Sequence, residues 1–347
     1  MQFGLKFNKY KLDQEVRILY SVRGKKAARI EPVTFSELSI TENDIEEILR
    51  NSIDMICDEE ESMLIVGRQV RNEKNGRSDL TAVDNNGNIV LIEIKRDRKD
   101  IEHRREAFEF QAIRYAASYA TLDKTDDLVK KVYAPYIEKY RSEFELGELT
   151  SFELGIRKLN EFLLVNDAQK NFNEKQRIIL VASDFDEQTL SAVAWLNSNN
   201  VDISCYRLTP YKLNEDIFFY VEKLLPVTNY DDYYVNLMDK TVMTSVTGDK
   251  KITRRSLPKI DLMLEWGVVK EGDIIVAKGR ENEGILLSNG NIMVNGQEKS
   301  MQSWLREIYG WSSVQTYVFA VHKETGKTLS RIREEYMAKQ ETENTEL

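Results

Sequence analysis

The spacing of apolar residues changes several times along the chain, and each change marks a different kind of element. Over residues 1–40 the stretches VRILYSV and KAARIEPVTF are β-branched and partly alternating, with Gly24 between them. That pattern predicts a β-rich arm or a small leading sheet. From Thr41 the period lengthens: Ile45, Ile48, Leu49, Ile53 and Ile56 fall on one side of a helix that opens with Thr41 and Asp44 in a capping arrangement. MLIVGRQV then reads as a strand. RSDLTAVDNNGNIVLIEIKRD reads as a hairpin, two apolar runs closed by Asn85, Asn86, Gly87 and Asn88, whose residue types suit a tight turn.

The next segment returns to a helical pattern, with Ala107, Phe108, Phe110, Ala112, Tyr115, Ala116 and Tyr119 giving a broad apolar surface. More helix is expected over residues 128–141, with Pro135 a bend or a break, and over residues 151–168. RIILVASDF, TLSAVAWLNSN and VDISCYRLTPY follow as strand, helix and strand. Near-continuous apolar strands in that order are α/β in character, so a domain is expected over residues 41–225. Residues 226–255 are polar, weakly periodic and rich in Thr, Asp and Tyr, which predicts a connector. Residues 256–338 resume short strands and a helix as a small C-terminal α+β unit, and residues 339–347 read as a frayed tail.

Charge narrows the function classes. The chain has 347 residues, with Lys+Arg 49 against Asp+Glu 58 and a formal net charge of -9. A protein that coats nucleic acid nonspecifically draws its affinity from neutralised phosphates and carries the opposite balance, although a local basic patch can sit on an acidic body. Two cysteines, Cys57 and Cys205, make neither a zinc ribbon nor a CxxC motif. Two histidines, His103 and His322, leave little room for His-rich metal sites, so any hydrolytic metal must be held by carboxylates. The first residues lack the apolar core of a signal peptide, and no apolar run approaches the ~20 residues of a membrane span. A cytoplasmic protein with no membrane partner is expected.

The candidate chemistry lies in the hairpin. Strand alternation puts Leu91, Glu93 and Lys95 on one face and Val90, Ile92 and Ile94 on the other. Pairing around Asn86 and Gly87 brings Asp79 across from the Glu93–Lys95 end. This set suits metal-assisted hydrolysis of a phosphodiester: Asp79 and Glu93 as ligands of Mg²⁺, with Mn²⁺ as substitute, both hard ions that favour oxygen, and Lys95 to position water and stabilise developing charge. Glu46 on the early helix could supply a third carboxylate, with Glu47 as its rival. Gln111 and Tyr115 share a helix face at i,i+4, and Gln111 can orient the water or the scissile phosphate. Arg77 is a candidate phosphate contact, and Arg96, Arg98, Lys99, Arg104 and Arg105 form a basic cluster beside the carboxylates.

The stretch GRSDLTAVDNNGNIVLIEIKRD followed by FQAIRYAA resembles the PD-(D/E)XK nuclease superfamily, within it the branch of NucS-type endonucleases and related restriction-like proteins. The resemblance runs through Gly76, Arg77 and Asp79, then Glu93 and Lys95, then Gln111 and Tyr115, and it places the family's helical glutamate at Glu46. Residue 78 is Ser, where the superfamily's naming proline would stand. Covering roughly residues 41–225, the resemblance implies a restriction-endonuclease-like mixed sheet flanked by helices, Mg²⁺-dependent cleavage of double-stranded DNA, and compatibility with a homodimer. In the C-terminal unit, Gly284, Leu286, Gly290, Ile292, Gly296, Ser300, Gly310 and Trp311 are similar to the pattern of RAMA-type modules appended to restriction and modification enzymes, which implies recognition of modified or specific DNA. Trp304 and Leu305 stand where that pattern has small residues, and Trp304 and Trp311 read as core. The competing functional reading is a nuclease-fold DNA-binding or regulatory subunit with weak or no catalysis.

Overall fold

The turn between the two site strands shows how local chemistry fixes the sheet. Asp84 ends strand β4 (Arg77–Asp84), and its Oδ1 accepts from the backbone N–H groups of Asn86 and Asn88, both at 2.9 Å. Gly87 takes φ +84°, and a Cβ there would come within 3.0 Å of the Ala168 carbonyl oxygen, so conformation and close approach both call for glycine. The chain then returns as β5 (Ile89–Lys95).

The structure, a computed structural model, describes residues 19–57, 59–72, 76–97, 106–227 and 257–345, with side chains described through residue 340. The first part of the N-terminal arm, nearly all of the expected connector, and Arg98, Lys99, His103, Arg104 and Arg105 lie outside the described residues.

The main sheet has the order β3-β4-β5-β6-β7-β8, with β3 (Met63–Arg71), β6 (Gln176–Ala182), β7 (Ile203–Leu213) and β8 (Asp216–Leu225). Strands β3, β4 and β5 pair antiparallel, β5, β6 and β7 pair parallel, and β8 returns antiparallel. Parallel neighbours require crossovers. Helices α2 (Phe108–Tyr119) and α3 (Ser151–Val165) lie between β5 and β6, and α4 (Glu187–Ser198) joins β6 to β7. Every residue of β5 is buried, as the continuous apolar runs of a two-sided central strand require. The result is an α/β fold with a mixed sheet flanked by helices.

Ahead of this sheet, β1 (Leu19–Arg23) and β2 (Lys26–Ile30) form a two-stranded hairpin turning at Gly24. Helix α1 (Glu42–Asn51) begins with a reciprocal capping box between Thr41 and Asp44 and buries Ile45 and Leu49. Pro135 does not break its segment. It lies within helix that runs on from Thr125–Leu128 through a π-helical turn, Val129–Tyr133, into Ala134–Lys139.

The C-terminal unit is a six-stranded antiparallel sheet packed with helix α5 (Met301–Tyr309). Its last helix, α6, runs Leu329–Thr345, so the expected tail continues as helix well past residue 339. This unit docks on the outer side of β3: the N–H groups of Ser312 and Ser313 donate to the Met63 carbonyl at 2.9 and 3.0 Å, and the Ser312 hydroxyl accepts from Ile65 N–H at 3.0 Å. Phe162 of α3 meets Trp311 edge-on at 4.9 Å. Trp304 and Trp311 are buried, and one continuous apolar cluster spans both sheets. Among the described residues, no helix is long and apolar enough to cross a membrane.

Candidate active site

Strands β4 and β5 hold backbone pairing from Val83↔Ile89 up to Leu80↔Ile92. One residue further, side chains replace the ladder. The Asp79 N–H donates to Glu93 Oε1 at 3.3 Å, and Asp79 Oδ2 accepts from the Ile94 N–H at 2.8 Å. Each carboxylate therefore satisfies a main-chain donor that the parting strands would otherwise bury unpaired. Asp79 is 6% exposed and Glu93 fully buried.

Lys95 ends β5 and is 3% exposed. Its Nζ donates to the Ile94 carbonyl at 2.6 Å and lies 4.0 Å from Asp79 Oδ2 and 3.7 Å from Glu42 Oε1, over the Phe108 ring. The site is thus rich in negative charge around one ammonium. Burial pushes the Asp79 carboxyl up to about 6. Lys95 and the Ile94 hydrogen bond oppose that rise, and the charges of Glu46 and Glu42 add to it.

Glu46 and its rival separate clearly. Glu46 is 1% exposed, and its Oε2 accepts from Arg68 Nε at 3.0 Å and Gln69 Nε2 at 2.9 Å. Glu47 faces outward, bonded to Arg50 and Arg68. Gln111 Nε2 donates to Tyr115 Oη at 3.3 Å, one helical turn along α2. The Tyr115 ring lies against Gly76, where a Cβ would fall 2.5 Å from Tyr115 Cε1. The helix bearing Gln111 therefore meets the start of β4 three residues before Asp79. Arg77 is exposed, and its cross-strand partner in β3 is the exposed Arg71. Like charges directly opposite repel, which makes this end of the hairpin receptive to an anion. Arg96 is half-buried, with its Nε 3.3 Å from Asp97.

Three residues with a hand in the site were not singled out from the sequence. Glu42 stands four residues before Glu46 on α1, a spacing visible in the sequence. Arg68 and Gln69 carry no such signal, because their position depends on strand register.

Asp79 and Glu93 offer the oxygen donors that a hard divalent cation prefers, and Mg²⁺ commonly takes only one or two carboxylates and keeps several waters. Among the described residues, no group of three or more His, Cys, Asp or Glu side chains is arranged to hold a metal ion. The donor chemistry fits such an ion, while Glu46 is held by Arg68 and Gln69.

No protein-family model matches the chain, and no curated protein matches it. Among solved structures, a chain of the EndoMS-dsDNA2 complex is similar at 14% identity, over 55% of this chain and 64% of that one, with a TM-score of 0.21. The match thus covers a little under two thirds of that chain's length, and a likeness at that TM-score carries no argument about fold or function.

Proposed function

We propose that the chain is a metal-dependent endonuclease of PD-(D/E)XK type that hydrolyses phosphodiester bonds in double-stranded DNA, serving restriction or DNA surveillance. One observation carries this reading: where β4 and β5 part, Glu93 is buried against the backbone N–H of Asp79 and Asp79 against that of Ile94, with Lys95 4.0 Å from Asp79. Replacing a buried set of charges by apolar packing is often neutral or stabilising by about 1–4 kcal/mol, so stability alone gives little reason to gather three charged groups here.

Asp79 and Glu93 would hold Mg²⁺, or Mn²⁺ in its place, with Glu46 as the third carboxylate. A cation bound there stabilises charge on the phosphoryl group and makes a bound water more acidic. Lys95 offers an ammonium donor to the attacking water or a phosphate oxygen. Gln111, steadied by Tyr115, orients the water or the scissile phosphate. Arg77, Arg96, Arg98, Lys99, Arg104 and Arg105 serve the DNA backbone, where contacts fix register without reading sequence. The unit over residues 256–338 supplies target choice, including the modification state of the DNA, and two copies acting as a homodimer would cut both strands.

The competing reading, a regulatory DNA-binding subunit with weak or no catalysis, keeps the fold and the DNA contacts and lacks the cutting step. Plasmid cleavage in Mg²⁺, Mn²⁺ or EDTA, on modified and unmodified DNA, separates the two. The nuclease cuts in metal and loses cutting on Asp79→Ala or Lys95→Ala. The regulatory subunit binds DNA and never cuts.

A further inference from the structure

Gln69 is the anomalous residue of β3. The pairs Arg68↔Leu80 and Val70↔Ser78 flank it, so it lies opposite Asp79, in the row that continues to Glu93 on β5. Its φ is +56°, in the left-handed region that a non-glycine residue rarely enters. Strain of this kind persists where the surroundings hold it in place, and it clusters at functional sites. Here the side-chain amide reaches across to α1: Nε2 donates to Asn43 Oδ1 at 2.6 Å and to Glu46 Oε2 at 2.9 Å. The neighbouring Arg68 binds the same oxygen through Nε at 3.0 Å and also donates to the Asn43 carbonyl at 2.9 Å. Both donors converge on Oε2, and Oε1 of Glu46 accepts no hydrogen bond among the described residues.

We infer that Gln69 is a positioning residue, which with Arg68 occupies Oε2 of Glu46 and so turns its Oε1 toward the cation held by Asp79 and Glu93. The inference rests on the reading of those carboxylates as cation ligands. Partners behind a ligating carboxylate commonly orient it, and removing one costs roughly 10- to 100-fold in metal affinity.

The test is Mn²⁺ binding to the full chain, read from the electron paramagnetic resonance signal of the free ion, alongside melting curves. Gln69→Asn suits the experiment because asparagine tolerates the left-handed region while its shorter side chain cannot reach Glu46. Binding is expected to weaken by about 10-fold with the melting temperature unchanged or raised. In a Glu46→Gln background the same substitution should cause no further loss, as coupled residues require. Unchanged Mn²⁺ affinity in Gln69→Asn, or an equal loss in both backgrounds, overturns the inference. Asp79→Asn distinguishes the two failures. If it abolishes Mn²⁺ binding while Gln69→Asn is silent, only the positioning role falls. If it leaves binding intact, the cation site itself falls.

Discussion

The backbone N–H of Asp79 donates to the carboxylate of Glu93, 3.3 Å away on the neighbouring strand, while the Asp79 carboxylate accepts from the N–H of Ile94. The two acids thus close the end of the β4–β5 ladder and at the same time concentrate negative charge there.

That double role gives Asp79 a measurable pH signature. Its native pKa, about 6, stands above the ordinary value of 3.8 that it has unfolded. Between those values the native state binds more protons than the unfolded state, so stability falls as pH rises from about 4 to about 6 and the full cost remains above pH 6. At 1.36 kcal/mol per unit the cost is on the order of 3 kcal/mol. Asp79→Asn keeps an acceptor for Ile94 and should raise stability at pH 7 without metal, with a flatter pH profile in urea melts. Asp79→Ala removes that acceptor, and its gain should be smaller by about 1–3 kcal/mol. Equal melts for wild type and Asp79→Asn across pH 4–8 would contradict the burial assigned to Asp79.

Gly76 should resist any side chain. A Cβ there would lie 2.5 Å from Tyr115 Cε1 and 3.0 Å from Asn72 Nδ2. Gly76→Ala is expected to cost about 1–3 kcal/mol and to lower cleavage by shifting the helix that carries Gln111. Adding Tyr115→Ala should recover part of the stability, so that the two changes are less than additive. Full additivity in chemical denaturation would argue against the contact.

The C-terminal unit is expected to be inseparable from the sheet it docks on. Arg333 is 2% exposed, donates to Glu60 Oε1 at 2.6 Å and to the Pro258 carbonyl at 3.0 Å, and sits over the Tyr317 ring. Arg333→Ala strips a buried acid of its counter-charge and should destabilise by about 3–5 kcal/mol. A chain ending at residue 256 also loses the donors that Ser312 and Ser313 give to Met63. Limited proteolysis and melting should show that truncated chain to be less stable than the full one; a truncated chain that melts with the full one would contradict the shared core.

Much of this arrangement was legible in the sequence, for reasons that differ by element. The hairpin register followed from Asn86 and Gly87, because a tight turn leaves one pairing, and that pairing set Asp79 opposite Glu93. The capping pair Thr41 and Asp44 placed α1 and, through it, Glu46. Strand β8 was not foreseen, since its exposed Ile217 and Phe218 break the alternation of a half-buried strand. Arg68 and Gln69 were illegible for a deeper reason. Their roles depend on a bulge between Ile65 and Gly67 and on a left-handed residue, neither of which leaves a compositional trace. The docking of Ser312 and Ser313 on Met63 joins positions some 250 residues apart, beyond the reach of any local pattern.

Lys95→Met probes the proposed hydrolysis at its core, because it keeps much of the stem that packs over Phe108 while removing the donor that faces Asp79. Wild type and variant would be compared for Mg²⁺-dependent cleavage of double-stranded DNA, with folding and DNA binding checked in parallel. The expected result is cutting by wild type that EDTA stops, and a loss of about 10²-fold or more in the variant while it still folds and binds DNA. Metal-dependent cutting that survives intact in Lys95→Met rules out the role given to Lys95, and wild type that binds DNA and never cuts in any metal rules out the nuclease.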